Sequence, residues 1–119
     1  MNKPLTFLLL FSGSSGVFGD DYQDGWDAYE RQDYKTAYKL WLPLAEQGNA
    51  KAQYNLGVMY AKGRGFPQDY ILAHMWLNLS GANGYKRGIK LRNLAEKKMT
   101  ASQIEKAQEL ARNWKPTSK

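Results

Sequence analysis

The sequence predicts an all-α fold in which about six helices form antiparallel pairs. Three observations predict it. Apolar residues recur at helical spacing, no segment alternates convincingly with a period of two, and a pattern of helix caps and small residues returns after about 36 residues. A pair of helices cannot bury all of its apolar surface alone, so such pairs stack on one another into a solenoid.

Composition restricts the chemistry that this fold can carry. The chain has 119 residues, enough for one small domain, and its lack of cysteine excludes disulfides, cysteine metal sites and a cysteine nucleophile. Acids dominate residues 20–50 and bases dominate residues 86–119, so the domain has an acidic end and a basic end. A basic end attracts nucleic acid, anionic lipid or an acidic protein. No nucleic-acid-binding motif accompanies it, which favours a solvated helix face.

The N-terminus has the pattern of a secretory signal peptide. Lys3 precedes the apolar run Leu5 to Phe11, which is too short to span a bilayer. Small residues follow, and then the acidic pair that begins at Asp20. We expect cleavage near Gly19–Asp20, which predicts a signal peptide over residues 1–19 and a periplasmic or secreted bacterial protein of the Gram-negative type. An uncleaved anchor or a cytosolic protein is the alternative.

The first two helices are predicted on either side of a short turn. The first covers about Tyr22 to Arg31, and Asp33 is an N-cap for the second. Pro43 should kink or break the second helix, and Gly48 should end it. The buried stripe of the second helix is predicted to contain Ala37, Leu40, Trp41, Leu44 and Ala45.

The third and fourth helices are predicted around a glycine loop. The third covers about Ala50 to Ala61 and contains Gly57, which costs about 1 kcal/mol relative to alanine and so indicates a close helix contact. Gly63 ends it, and Asp69 caps the fourth helix, which Gly81 and Gly84 end. The apolar positions of this pair are Ala52, Leu56, Tyr60, Leu72, Ala73, Trp76, Leu77 and Leu79.

The last two helices complete the predicted domain. The fifth begins near Lys86, and Thr100 with Gln103 forms a capping box for the sixth. The sixth ends near Lys115-Pro116, and residues 115–119 are predicted to be a flexible tail. The apolar positions are Ile89, Leu91, Leu94, Ala95 and Met99 in the fifth helix, and Ile104, Ala107, Leu110, Ala111 and Trp114 in the sixth.

A shift of about 36 residues superimposes the second helix on the fourth. Asp33-Tyr34 falls on Asp69-Tyr70, and Gly48 falls on Gly84. Within the second unit the motif is Ala52-x3-Leu56-Gly57-x2-Tyr60-x2-Gly63-x-Gly65-x3-Asp69-x3-Ala73-x2-Trp76. This motif resembles the Sel1-like repeat, a relative of the tetratricopeptide repeat with a longer internal loop.

The resemblance covers most of residues 20–114, with units over about 22–48 and 49–84 and a degenerate cap over 85–114 that has Gly88 where the motif has Ala. It implies a short right-handed solenoid. It also implies a non-enzymatic adaptor that binds a protein or peptide, with no cofactor, no metal and no small-molecule substrate.

Catalytic residue patterns are absent from the sequence. His74 is the single histidine and has no Ser, Cys or carboxylate at a spacing that would form a catalytic dyad, so we interpret it as a surface or groove-edge residue. The Gly63-Arg64-Gly65 loop lacks the Gly-Lys-Ser/Thr ending of a phosphate-binding loop. We therefore predict no catalytic residue.

The predicted binding residues lie on the third helix. In tetratricopeptide-like solenoids the first helix of each pair lines the concave face, and four residues there are out of phase with the buried stripe. These are Lys51, Tyr54, Val58 and Lys62, which suit an acidic or aromatic peptide. Self-association through an exposed end is a further possibility, because short arrays lack stacking partners. The alternative function is polyanion or nucleic-acid binding by the basic helix over residues 86–98.

Overall fold

The computed structural model describes residues 14–117, with side chains from Asp20 onward. Within this range six helices are connected by turns and loops and there is no strand, which confirms the predicted all-α repeat fold. Most of the predicted signal peptide (residues 1–13) and the last two residues of the predicted tail lie outside the described part. The helices are α1 (Ser14–Glu30), α2 (Tyr34–Glu46), α3 (Ala50–Lys62), α4 (Tyr70–Ala82), α5 (Lys86–Glu96) and α6 (Ala101–Asn113).

One expectation about the first pair, the start of α1, is wrong, and of the two outcomes expected at Pro43 the break does not occur. Helix α1 begins at Ser14, well before Tyr22, because small residues are weak helix formers but do not block a helix as proline does. Helix α2 also continues through Pro43 without a break. Proline in a helix costs about 3 kcal/mol, whereas burial of Trp41 and Leu44 contributes about 1.5–3 kcal/mol each, which offsets the cost. The bond between Gly19 and Asp20 lies within α1, and its cleavage remains a prediction.

Side-chain caps set the start of the repeated helices. The Asp33 carboxylate accepts a hydrogen bond from the amide of Thr36 at 3.3 Å. Hydrogen bonds with the side chain and then the backbone of Thr36 lower the pKa of the Asp33 carboxyl. Asp69 caps α4 in the same way through the amide of Leu72 at 3.0 Å. Thr100 and Gln103 form the predicted reciprocal capping box of α6. The predicted caps are confirmed, because each depends on residues only three positions apart.

The repeat extends to the turns that end the helices. Gly48 and Gly84 have φ values of 101° and 105°, the left-handed conformation that favours glycine. Ala37 and Ala73, which also correspond in the repeat, are both fully buried. These corresponding glycines and alanines therefore have the same structural role in the two units.

Close contacts at two glycines bring α4 against two of its neighbours, α3 and α5. A Cβ at Gly57 would lie 2.6 Å from Cγ of Leu77, so the α3–α4 contact requires a glycine. A Cβ at Gly88 would lie 2.7 Å from the Leu77 carbonyl oxygen and 2.8 Å from the Gly81 amide nitrogen. The departure from the repeat motif at Gly88 thus has a packing reason: α5 approaches the backbone of α4 too closely for alanine.

The glycine loop between α3 and α4 joins the second pair to the first. Nη1 of Arg64 donates a hydrogen bond to the Tyr29 hydroxyl at 2.6 Å, and its guanidinium lies 5.6–5.7 Å from the ring centres of Tyr29 and Tyr34. The loop also places Phe66 in a stacked contact with Tyr60, at 4.1 Å between ring centres. Arg64 therefore has a structural partner, consistent with the conclusion that this loop does not bind phosphate.

Helix α6 packs against α4, not chiefly against α5. Trp114 lies edge-to-face with Trp76, at 6.5 Å between ring centres, and Ala107 is fully buried. Beyond the helix, the Thr117 amide donates to the Glu46 carbonyl at 2.8 Å, so the described start of the tail lies against the end of α2. Helix α4 is thereby covered by α3, α5 and α6, whereas the side of α5 that faces away from α4 has little cover.

Candidate functional site

Helices α1, α3 and α5, the first helices of successive units, frame two neighbouring cavities. Val58, which is half-buried on α3, lines both of them. We call the wall of both cavities the Val58 surface. It is lined on the α1 side by Trp26, Tyr29, Trp41, Tyr54, Asn55 and Val58, and on the α5 side by Val58, Ala61, Lys62, Tyr70, Leu77, Leu91, Leu94, Ala95 and Lys98.

The cavity between α1 and α3 is aromatic and measures about 120 Å³. Trp26 and Trp41 meet edge-to-face at 5.0 Å between ring centres. The indole of Trp41 also donates to the Tyr22 carbonyl at 3.1 Å, which fixes the ring orientation. Because these rings are held by one another and by the backbone, the cavity is preformed and its walls need little rearrangement to receive an apolar side chain.

The cavity between α3 and α5 is aliphatic and measures about 170 Å³. Leu77 forms its buried wall, while Leu91 and Leu94 approach from α5. The exposed side chains of Lys62, at the end of α3, and of Lys98, in the turn after α5, lie at its edge. An apolar floor beside two ammonium groups suits a ligand that has an apolar anchor next to a carboxylate.

The structure brings together three of the four predicted binding residues. Val58 lines both cavities, Tyr54 lines the aromatic one and Lys62 lines the aliphatic one. The ring of Tyr54 is held edge-to-face against Tyr85, at 5.1 Å between ring centres. Lys51 is exposed near the start of α3 and lines neither cavity.

Sequence reasoning missed the residues that α1 and α5 contribute to the site. Trp26 and Tyr29 complete the aromatic cavity, and Leu94 with Lys98 completes the aliphatic one. Only the position of these helices as the first helices of their units could have indicated them. The sequence does not reveal this role for Trp26 and Tyr29, because a half-buried ring can contribute to a core and to a cavity wall together.

The interpretation of His74 as a surface residue is wrong. Its side chain is 1% exposed, and Nε2 lies 2.7 Å from Oε2 of Glu96 near the end of α5. Its Nδ1 has no hydrogen-bond partner among the described residues. The carboxylate comes from a helix 22 positions away, so local spacing could not reveal the pair. Buried in this way, the imidazole cannot reach a substrate, and the pair joins α4 to α5.

No helix within residues 14–117 has both the length and the apolar character needed to cross a bilayer.

Comparison with known families finds the Sel1 repeat twice, at residues 13–49 and 50–85, which together make up more than half of the chain. Searches of curated proteins and of solved structures gave no significant match. The two matched segments are adjacent and divide at the turn between α2 and α3.

Proposed function

Since the chain belongs to the Sel1 repeat family, whose repeats are generally protein–protein interaction modules, we propose that it is an adaptor of the bacterial cell envelope. In this role the Val58 surface binds a segment of a partner protein. The single observation that carries the proposal is the pair of neighbouring apolar cavities that share Val58. Two adjacent anchor sites suit a peptide segment better than one compact metabolite.

The electrostatics of the Val58 surface support a partner with acidic residues. Lys62 and Lys98 flank the aliphatic cavity, and Lys51 adds a third exposed ammonium group on α3. None of the three has a carboxylate within ion-pair distance among the described side chains. A partner carboxylate beside an apolar anchor would gain charge-assisted contacts without breaking existing ones.

The proposed adaptor role is non-catalytic. Sel1 repeats have a fold that serves protein interaction and not catalysis. The sole histidine of this chain is buried in a pair with Glu96. The Val58 surface contains tyrosine and lysine side chains but no carboxylate or histidine that could act with them.

The envelope location depends on the N-terminal pattern. Lys3, the apolar run Leu5 to Phe11 and the small residues before Asp20 support export and removal of residues 1–19. N-terminal sequencing of the protein recovered from the periplasm should begin at or near Asp20. Recovery with Met1 intact would contradict export by cleavage.

Crosslinking in cells, followed by identification of the captured protein, tests the binding site. Val58→Arg places a charge between the two cavities, so we expect affinity for the captured partner to fall at least about tenfold, the loss expected from about 1.4 kcal/mol. Tyr54→Ala and Lys62→Ala test the two cavities separately. Gln108→Arg, an exposed substitution on α6, is the control and should leave capture intact.

Circular dichroism of each variant distinguishes lost binding from lost folding. Folded Val58→Arg protein that captures the partner as wild type does would overturn the assignment of the Val58 surface.

A further inference from the structure

Helix α5 has exposed apolar residues at the two edges of its solvent-facing side. Helix α6 packs on α4, so α5 ends the row of first helices with a solvent-facing side. Among the described side chains, the large hydrophobic residues that are exposed both lie on this helix: Ile89 is 39% exposed and Leu94 is 51% exposed. Leucine and isoleucine at the end of a stack mark a surface suited to a further protein contact.

A basic stripe runs along the same side of α5. Lys86, Lys90 and Lys97, the last of which is the C-cap residue of α5, are spaced four and seven residues apart, which aligns them on one side. They lie opposite Gly88 and Ala95, the buried residues that contact the rest of the domain. No carboxylate among the described side chains forms an ion pair with any of the three lysines.

The opposite end of the stack has a matching acidic stripe. Asp20, Asp24 and Asp27 are spaced four and three residues apart on α1, which aligns them on one side of the helix, and all three are exposed. None of them is in an ion pair among the described side chains; the single polar contact there is a hydrogen bond from the Gln23 amide to Asp27 at 3.2 Å. The two end helices thus carry unneutralised charge of opposite sign.

We propose that copies of this chain associate head to tail, with α5 of one copy on α1 of the next. The lysine stripe covers about 17 Å of helix and the aspartate stripe about 11 Å, so the two overlap over the length of the shorter one. The exposed Ile89, which lines neither cavity of the Val58 surface, is covered at the same contact. A polyanion such as nucleic acid or anionic lipid would neutralise α5 but would leave the acidic stripe of α1 unexplained. A second copy accounts for both stripes, so it is the occupant that the charges favour.

The energetics define the conditions of this association. Exposed ion pairs are individually weak and are screened by salt, so the contact forms at low ionic strength and high protein concentration. The contact joins two different surfaces of the chain, so its repetition extends the assembly unless rotation closes a ring. The contact does not require the Val58 surface, and the two proposals can fail independently.

Sedimentation velocity on the purified chain tests the association. At about 0.01 M salt, where the Debye length is about 30 Å, the wild type should grow in mass with concentration. At about 1 M salt, where this length is about 3 Å, it should be monomeric. Lys90→Glu/Lys97→Glu and Asp24→Lys/Asp27→Lys should each weaken self-association at least about tenfold, because each variant has two ends of like charge. The control Lys35→Glu/Lys39→Glu, at exposed positions of α2, should associate as wild type.

Mixing the two charge-reversed variants is the decisive step. The acidic α5 of one faces the basic α1 of the other, so the mixture should regain association that neither protein has alone. A wild type that stays monomeric at low salt, or a mixture that does not associate, would overturn the proposal. Loss of association with the α5 variant but not with the α1 variant would also overturn it and would identify α5 as a general anion-binding surface. Val58→Arg should associate as wild type.

Discussion

His74 and Glu96 form the buried polar contact that joins the second unit to α5. The histidine is almost fully enclosed, and Glu96 is 34% exposed, so one partner lies inside the domain and the other at its surface. A buried polar atom without a partner is costly, and Nδ1 of His74 already has none among the described residues. The Nε2–Oε2 contact is therefore the interaction that makes this histidine acceptable inside the helical stack.

The Glu96→Ala variant should show how much the His74–Glu96 pair contributes to the free energy of unfolding. Glu96→Ala leaves Nε2 of His74 without its acceptor, and we expect the free energy of unfolding to fall by about 1–3 kcal/mol. Urea denaturation at neutral pH measures this change. Glu105→Ala, at an exposed glutamate of α6, is the control and should change stability by no more than about 0.5 kcal/mol. Equal stabilities of the two variants would contradict the role given to the pair.

At the residue scale, the sequence reveals a side chain's role when its partners are local. Asp33, Asp69 and Thr100 cap backbone amides within three residues, so their roles are readable from spacing alone. His74 is misread because its partner comes from a different helix, and Lys98 joins the site only after α5 has docked. Neither contact has a signature in the local sequence.

Helix α5 illustrates how a single glycine can place a whole element. Gly88 lies where a Cβ would meet a carbonyl oxygen and an amide nitrogen of α4 at less than 3 Å. Backbone atoms of a packed helix cannot move aside as a flexible side chain can. The position of α5, and with it the α5 wall of the aliphatic cavity, depends on the absence of one methyl group.

Gly88→Ala should destabilise the protein even though alanine is the better helix former. The intrinsic preference favours alanine by about 1 kcal/mol, whereas overpacking typically costs about 1–3 kcal/mol, so we expect a net loss of stability. Thermal denaturation followed by circular dichroism measures it. Lys90→Ala, on the solvent side of the same helix, is the control for propensity without packing. A Gly88→Ala protein more stable than wild type would show that α5 can shift without cost.

Element boundaries divide into those that local chemistry specifies and those that packing decides. The starts of α2, α4 and α6 follow from side-chain caps and were predicted. The start of α1 was not predicted, and the sequence did not decide between a kink and a break at Pro43, because these features depend on the absence of a strong breaker and on burial of Trp41 and Leu44. Propensity alone is too weak to decide either case.

At the scale of the whole molecule, α6 packs on α4 and covers apolar surface that the two repeat units leave there. Trp114 of α6 packs on Trp76, and Ala107 is buried. Helix α4 is therefore in contact with α3, α5 and α6. A stack of two repeats exposes a large apolar surface at its ends and back. Helix α6 covers the back, which explains how so short an array can be stable.

Removal of α6 should therefore unfold the whole domain and not leave a shorter folded domain. A chain that ends at Lys98 exposes Trp76 and neighbouring apolar residues, and we expect loss of cooperative thermal unfolding and increased binding of an apolar fluorescent dye. A chain that ends at Trp114 retains α6 and loses the Thr117 contact with Glu46, so it is the control and should still unfold cooperatively. A cooperative, dye-free transition in the shorter chain would contradict this role of α6.

The path of α6 across α4 also determines where the array could lengthen during evolution. A unit added after residue 114 would begin near the end of α2, where Thr117 contacts Glu46, and would not follow α5 in the row of first helices. A unit inserted at the turn after Gly84 would meet the end of α4 and would present its own last helix to α5 and α6. Duplication in this lineage is therefore expected to be internal, with longer relatives keeping the terminal pair and multiplying the segment that precedes it.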